Sequence, residues 1–222
     1  MTSIALCPAS DTFLTASRDR SVRLWTAGQA GCVSQLPAPH GASGGDTMVA
    51  YDSTGLVFAI AAPSADAQQY HVHLYDARNY SGGAFAELTV SQSDLVVALE
   101  QHSLPADRAT AAWKSMEFNR AGDRILVSAE RGLAIVLDGF EGTIQRVMVE
   151  EGDGTAVCCF TSDDKTVLQG GNPDGSISCW NIEMGTVQKK LTGHVGPVKC
   201  IASNPMYTQI ASSCTQTALW TW

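Results

Sequence analysis

The chain repeats one phrase five times: a short apolar run, a polar turn, a second run rich in small residues, a tight turn, and a third run that ends on a large side chain. The third runs are Val22-Arg23-Leu24-Trp25, His71-Val72-His73-Leu74-Tyr75-Asp76, Leu133 to Asp138, Ile177-Ser178-Cys179-Trp180 and Thr217-Ala218-Leu219-Trp220. The repeats fall near 2–25, 47–76, 112–138, 156–181 and 193–220. A unit of this length with strand-like patterning is one small antiparallel sheet, which cannot cover both of its own faces. Stacking such sheets around an axis covers them, so residues 1–222 are expected to form an all-β propeller with five visible repeats. The outcome is a rigid platform whose turns and loops face solvent, suited to binding other proteins.

The repeat is of the WD40 type. Asp19 and Asp174 stand six residues before Trp25 and Trp180, and Tyr75-Asp76 and Leu137-Asp138 keep the Asp that follows the large residue. A complete repeat joins the His of a Gly-His pair, a strand hydroxyl, the turn Asp and the Trp in one hydrogen-bonded network. Here only the fifth repeat has Gly193-His194, and it has Cys214 six residues before Trp220. No complete network is therefore expected. The third-run ends are separated by 50, 62, 43 and 40 residues, and the excess in the second interval implies an insertion near 91–110. Its apolar run Leu95-Val96-Val97-Ala98-Leu99 suits a short helix, which either packs on its own blade or docks a partner.

At 222 residues, 45% hydrophobic and 16% charged, the chain can build a sizeable core. No stretch approaches the roughly 18 apolar residues that span a bilayer, and the start lacks a basic segment followed by a long apolar one. Neither a membrane nor secretion is expected. Seven cysteines without Cys-x-x-Cys spacing read as free thiols of a reducing compartment. A net charge of −8 disfavours direct contact with a nucleic-acid backbone.

No reaction chemistry is legible. The glycine pairs Gly44-Gly45, Gly82-Gly83 and Gly170-Gly171 lack the Gly-Lys-Ser/Thr of a phosphate loop. His71-x-His73 puts two imidazoles on one strand face without a third ligand, while Asp163-Asp164 and Glu150-Glu151-Gly152-Asp153-Gly154 do not fit a calcium loop. The protein is expected not to be an enzyme, and no cofactor or metal is expected. As partner-binding residues we single out the basic turn Arg18, Arg20 with Arg23, separately Arg131, and Trp113 ahead of the third repeat, an exposed anchor unless it is the core residue that tryptophan more often is; each arginine suits a phosphate or carboxylate.

Asp11-Thr12-Phe13 with Ser21-Val22-Arg23-Leu24-Trp25, then Leu74-Tyr75-Asp76-Ala77-Arg78, Leu137-Asp138-Gly139-Phe140-Glu141-Gly142 and Ala211 to Trp220 with Cys214 at the turn resemble, in order and over nearly the whole chain, the WD repeat-containing protein 82 family. The resemblance implies a non-catalytic nuclear subunit. Its implied partners are a SET-domain methyltransferase of a COMPASS-type complex, or protein phosphatase 1 with its nuclear scaffold, acting on the phosphorylated tail of RNA polymerase II and on termination, in an obligate hetero-complex. An adaptor in RNA 3′-end processing or in ubiquitin-ligase substrate recognition is the alternative. The family is usually seven-bladed, which implies a chain starting where the third blade starts.

Overall fold

The computed structural model describes residues 1–39, 45–152 and 154–221; Gly44 and Asp153, noted above, lie outside them. Within them five antiparallel meanders follow one another. The first is β1 (Ser3–Leu6), β2 (Thr12–Ala16), β3 (Ser21–Thr26) and β4 (Ser34–Pro37). The second is β5 (Met48–Tyr51), β6 (Val57–Pro63), β7 (Gln69–Asp76) and β8 (Ala86–Ser91). The third is β9 (Trp113–Phe118), β10 (Arg124–Ala129), β11 (Leu133–Asp138) and β12 (Ile144–Val149). The fourth is β13 (Val157–Phe160), β14 (Thr166–Gly170), β15 (Ile177–Asn181) and β16 (Thr186–Leu191). The fifth has three strands, β17 (Cys200–Ser203), β18 (Gln209–Ser213) and β19 (Thr217–Thr221). These are the blades of a WD-type β-propeller, and we call the strands of each blade a to d in order.

The blades touch in sequence order, and four hydrophobic cores lie between neighbours. Because alternate side chains on a strand point to opposite sides, each inner blade splits its residues between two cores. In blade two, Val49, Phe58 and Ile60 pack on Leu14, Val22 and Leu24 of blade one. Their neighbours Met48, Ala59 and Ala61 pack on Ile125, Val127 and Ile135 of blade three. Two-sided burial explains the unbroken apolar reading of β6 and β11, whereas β2 alternates between buried and half-buried positions.

The insertion between blades two and three contains a helix, α1 (Gln92–Gln101), and a 3-10 turn over Ala106–Thr110. Ser91 caps α1: its Oγ accepts the Asp94 N–H while the Asp94 carboxylate accepts the Ser91 N–H. Leu95 and Leu99 are buried in the core between blades two and three, and Val97 points outward. Among the described residues no helix is long and apolar enough to cross a membrane.

Candidate functional site

Successive strands run antiparallel, so the b–c turns of all blades fall on one rim and the a–b turns on the other. The b–c rim carries most of the residues singled out from sequence. In blade one, Asp19 Oδ1 accepts the Ser21 N–H at 3.0 Å and the Ser21 hydroxyl at 2.7 Å. In blade four, Asp174 Oδ1 accepts the Ser176 N–H at 2.9 Å and its hydroxyl at 2.7 Å. These donors, the serine hydroxyl first, hold both carboxyls below the usual range. The residue after each Asp has φ in the left-handed region: Gly175 at +76° in blade four and Arg20 at +67° in blade one. Glycine takes that conformation freely, and a Cβ on Gly175 would meet the His194 carbonyl at 2.6 Å. Arg20 adopts it with a side chain directed to solvent.

Arg18 Nε donates to Asp46 Oδ1 at 3.0 Å, and Asp46 Oδ2 lies 3.5 Å from Lys114 Nζ, which also pairs with Glu130 at 2.9 Å. This chain of charges crosses from blade one to blade three, with Arg131 next in sequence. Arg18 and Arg20 in blade one and Arg131 in blade three thus stand on b–c turns of the same rim. Arg131 Nη1 is partly committed, donating to the Asp107 carbonyl at 3.1 Å and to Thr110 Oγ1 at 3.3 Å, which ties blade three to the insertion. Arg23 lies on the strand face rather than the rim and reaches Asp19 Oδ2 at 3.2 Å.

Trp113 is not a surface anchor, which corrects the reading from sequence. It is 1% exposed and stacks on Tyr70 with ring centroids 4.0 Å apart, while the Tyr70 hydroxyl accepts its backbone N–H. The reason is its place at the start of β9, beneath the insertion, where the largest apolar side chain fills the gap between α1 and two blades.

The blades differ in how their signature residues are joined. Trp25 Nε1 donates to Thr15 Oγ1 at 2.8 Å in blade one. In blade four Gln169 stands where the hydroxyl would be and donates to the Gly132 carbonyl; Trp180 Nε1 and Gln169 Oε1 are buried without partners. Tyr75 stacks on Phe58 at 5.0 Å in blade two. Asp76 and Asp138 cap the c–d turns, accepting N–H groups of Arg78 and of Phe140 and Glu141. Blade five departs from expectation, because its network is closed. Trp220 Nε1 donates to Ser212 Oγ at 2.7 Å, Ser212 Oγ lies 2.6 Å from His194 Nε2, and His194 Nδ1 lies 3.1 Å from Cys214 Sγ. Cysteine completes the set because sulfur, like a carboxylate, accepts hydrogen bonds.

His71 Nδ1 lies 3.2 Å from Thr89 Oγ1, and His73 Nε2 lies 3.9 Å from Glu87. Among the described residues no three His, Cys, Asp or Glu side chains converge on one point. At the a–b rim the inner strands border a cavity of about 390 Å³ lined by Tyr51, Glu117, Arg120, Phe160 and Ile201. Burial pushes the Glu117 carboxyl up to about 7, although one oxygen accepts the Phe160 N–H at 2.6 Å. Sequence reading missed Glu117 and Asp46. A charged residue inside the inner strand Met116-Glu117-Phe118 was the available signal for the first; nothing in sequence flags the second.

The family model described as "WD domain, G-beta repeat" matches residues 1–26 and 185–220. The chain is 29% identical over 221 residues to WD repeat-containing protein 82 of Drosophila melanogaster, covering 98% of this chain and 62% of that protein. It is 30% identical over 220 residues to Protein ANTHESIS POMOTING FACTOR 1 of Arabidopsis thaliana, covering 98% and 58%. With COMPASS component SWD2 of Saccharomyces cerevisiae it shares 26% identity over 226 residues, covering 93% and 60%. The chain thus spans less than two thirds of the length of these relatives.

Proposed function

We propose that the chain, which is similar to WD repeat-containing protein 82 and to COMPASS component SWD2, is a non-catalytic WD-repeat scaffold subunit of a nuclear chromatin complex of the Set1/COMPASS type. The observation that carries this reading is collinear similarity along 93% of the chain to a protein named as a COMPASS component. The physical part is supplied by the b–c rim, where Arg18, Arg20 and Arg131 sit on a platform stiffened by four inter-blade cores. Guanidinium groups held by such a frame suit acidic or phosphorylated segments of a partner, with little ordering cost on the propeller's side. Binding is the mechanism, and the chemistry belongs to the partner.

Quantitative mass spectrometry of what co-purifies with the tagged, full-length protein from nuclear extract tests this. Enrichment of a SET-domain methyltransferase is the expected result. Enrichment of protein phosphatase 1 and a nuclear scaffold instead would move the protein to polymerase dephosphorylation and termination. Recovery with neither overturns the reading.

A further inference from the structure

The b–c turn of blade five occupies the position at which blades one and four hold a carboxylate anion, yet its residue is Cys214. Counting back six residues from Trp25, Trp180 and Trp220 gives Asp19, Asp174 and Cys214. The backbone repeats the same contact in all three: the N–H two residues on, of Ser21, Ser176 and Gln216, points at the acceptor atom of the turn residue. In blade five the acceptor is Sγ, at 3.5 Å from the Gln216 nitrogen. Thr215 Oγ1 lies 3.7 Å from the same sulfur.

Trp220 Nε1 donates to Ser212 Oγ, which also lies 2.6 Å from His194 Nε2, and His194 Nδ1 faces Cys214 Sγ at 3.1 Å. In the tautomer in which the Ser212 hydroxyl donates to Nε2, the Nδ1 proton points at the sulfur, beside the Gln216 backbone N–H and the Thr215 hydroxyl. Among the described residues the titratable side chain bonded to the sulfur is His194. The same donors, the Gln216 N–H foremost, bring the thiol down to about 6. Cys214 is partly exposed.

We propose that Cys214 and His194 form a nucleophilic thiolate site on the b–c rim, at which a hydroperoxide oxidises the protein. In that step Sγ attacks one peroxide oxygen, the S–O bond forms and the O–O bond breaks. The departing hydroxide or alkoxide leaves with the bonding pair and is protonated by water. Sulfur loses two electrons to give the sulfenic acid, and the peroxide gains them. Cys7 is also lowered, its desolvation being outweighed by donors at Ser10, Ala9 and Thr12, but these are hydroxyl and backbone groups and not an imidazole; burial pushes Cys158 up to about 12 and Cys179 up to about 11, and raises Cys159 well above the ordinary thiol range.

The test compares cysteines within one intact molecule. The whole chain is alkylated with iodoacetamide at pH 6.5 and pH 8.5, and the rate at each cysteine is read by peptide mass spectrometry. The exposed Cys32 and Cys200 serve as internal comparators, and absence of label on buried Cys158, Cys159 and Cys179 reports the native fold. An ordinary thiol gains about fiftyfold in rate between these pH values, whereas Cys214 is expected to gain less than about twofold. In parallel, hydrogen peroxide with a 1,3-diketone trap for sulfenic acid is expected to mark Cys214 ahead of Cys32 and Cys200. His194→Gln should return Cys214 to the steep profile, and the three buried cysteines report whether that variant remains folded. A Cys214 rate that tracks Cys32, or a trap adduct spread evenly over the exposed cysteines, overturns the proposal; the wild-type comparison decides it even if the variant unfolds.

Discussion

Glu117 shows what one side chain contributes. Its folded pKa near 7 lies above the ordinary 4.5, so between these values the native state holds a proton that the unfolded chain has released. Stability therefore falls as pH rises through that window and stays at the lower level above it. Glu117→Gln keeps an acceptor for the Phe160 N–H and removes the charge. It should match wild type near pH 4.5 and exceed it at pH 8 by on the order of 1–2 kcal/mol, read from urea melts at the two pH values. An advantage at low pH, or none at high pH, would count against the assignment. Residue identity alone does not reveal this, because the desolvation comes from strands distant in sequence. Cys214 differs in kind: its place in the repeat count is legible in the sequence, and only its partners required the structure. The expectation of an open network failed there because it treated the turn Asp as irreplaceable rather than as one acceptor among several.

At the scale of an element, the insertion is the instructive case. The spacing of the third runs located it and its apolar run suggested a helix, but two destinations for that helix remained open. Leu95 and Leu99 face the core shared with Trp113, which decides for packing. Leu99→Ala should cost about 2–5 kcal/mol, whereas Val97→Ala on the exposed face should cost under about 0.5 kcal/mol, both measured by chemical denaturation. Comparable losses at both positions would mean that the outer face is covered as well. Trp113 was misread for a related reason: a tryptophan outside the alternating pattern looks exposed when the segment that buries it is not recognised as an element. The b and c strands were the easiest to read, since two-sided burial makes them continuously apolar. Outer strands such as β16, with mostly exposed residues, carry only a weak pattern.

For the whole molecule, the division between rim and interior makes partner binding and folding separable. Arg18 is mostly exposed, and its pair with Asp46 is of the surface kind worth about 0–1 kcal/mol. Replacing Arg18 and Arg20 together with Ala should leave the melting temperature within a few degrees of wild type and reduce recovery of the partner complex several-fold. Trp113→Ala should instead cost about 3–5 kcal/mol and lose the complex only by losing the fold. Thermal melting and affinity recovery run side by side distinguish the two, and equal recovery in the double arginine variant would remove the b–c rim from the interface. The alternating allegiance of blade two and blade three has its own consequence for how this architecture varies. A side chain's parity along the strand is an address naming the neighbour it serves. Substitution at Phe58 or Ile60 is felt on the side of blade one, and at Ala59 or Ala61 on the side of blade three. Deleting a single residue from the middle of β6 would readdress every position beyond it, misdelivering side chains to both neighbours at once. Changes of length are therefore confined to the turns, and that is where the 92–101 helix lies.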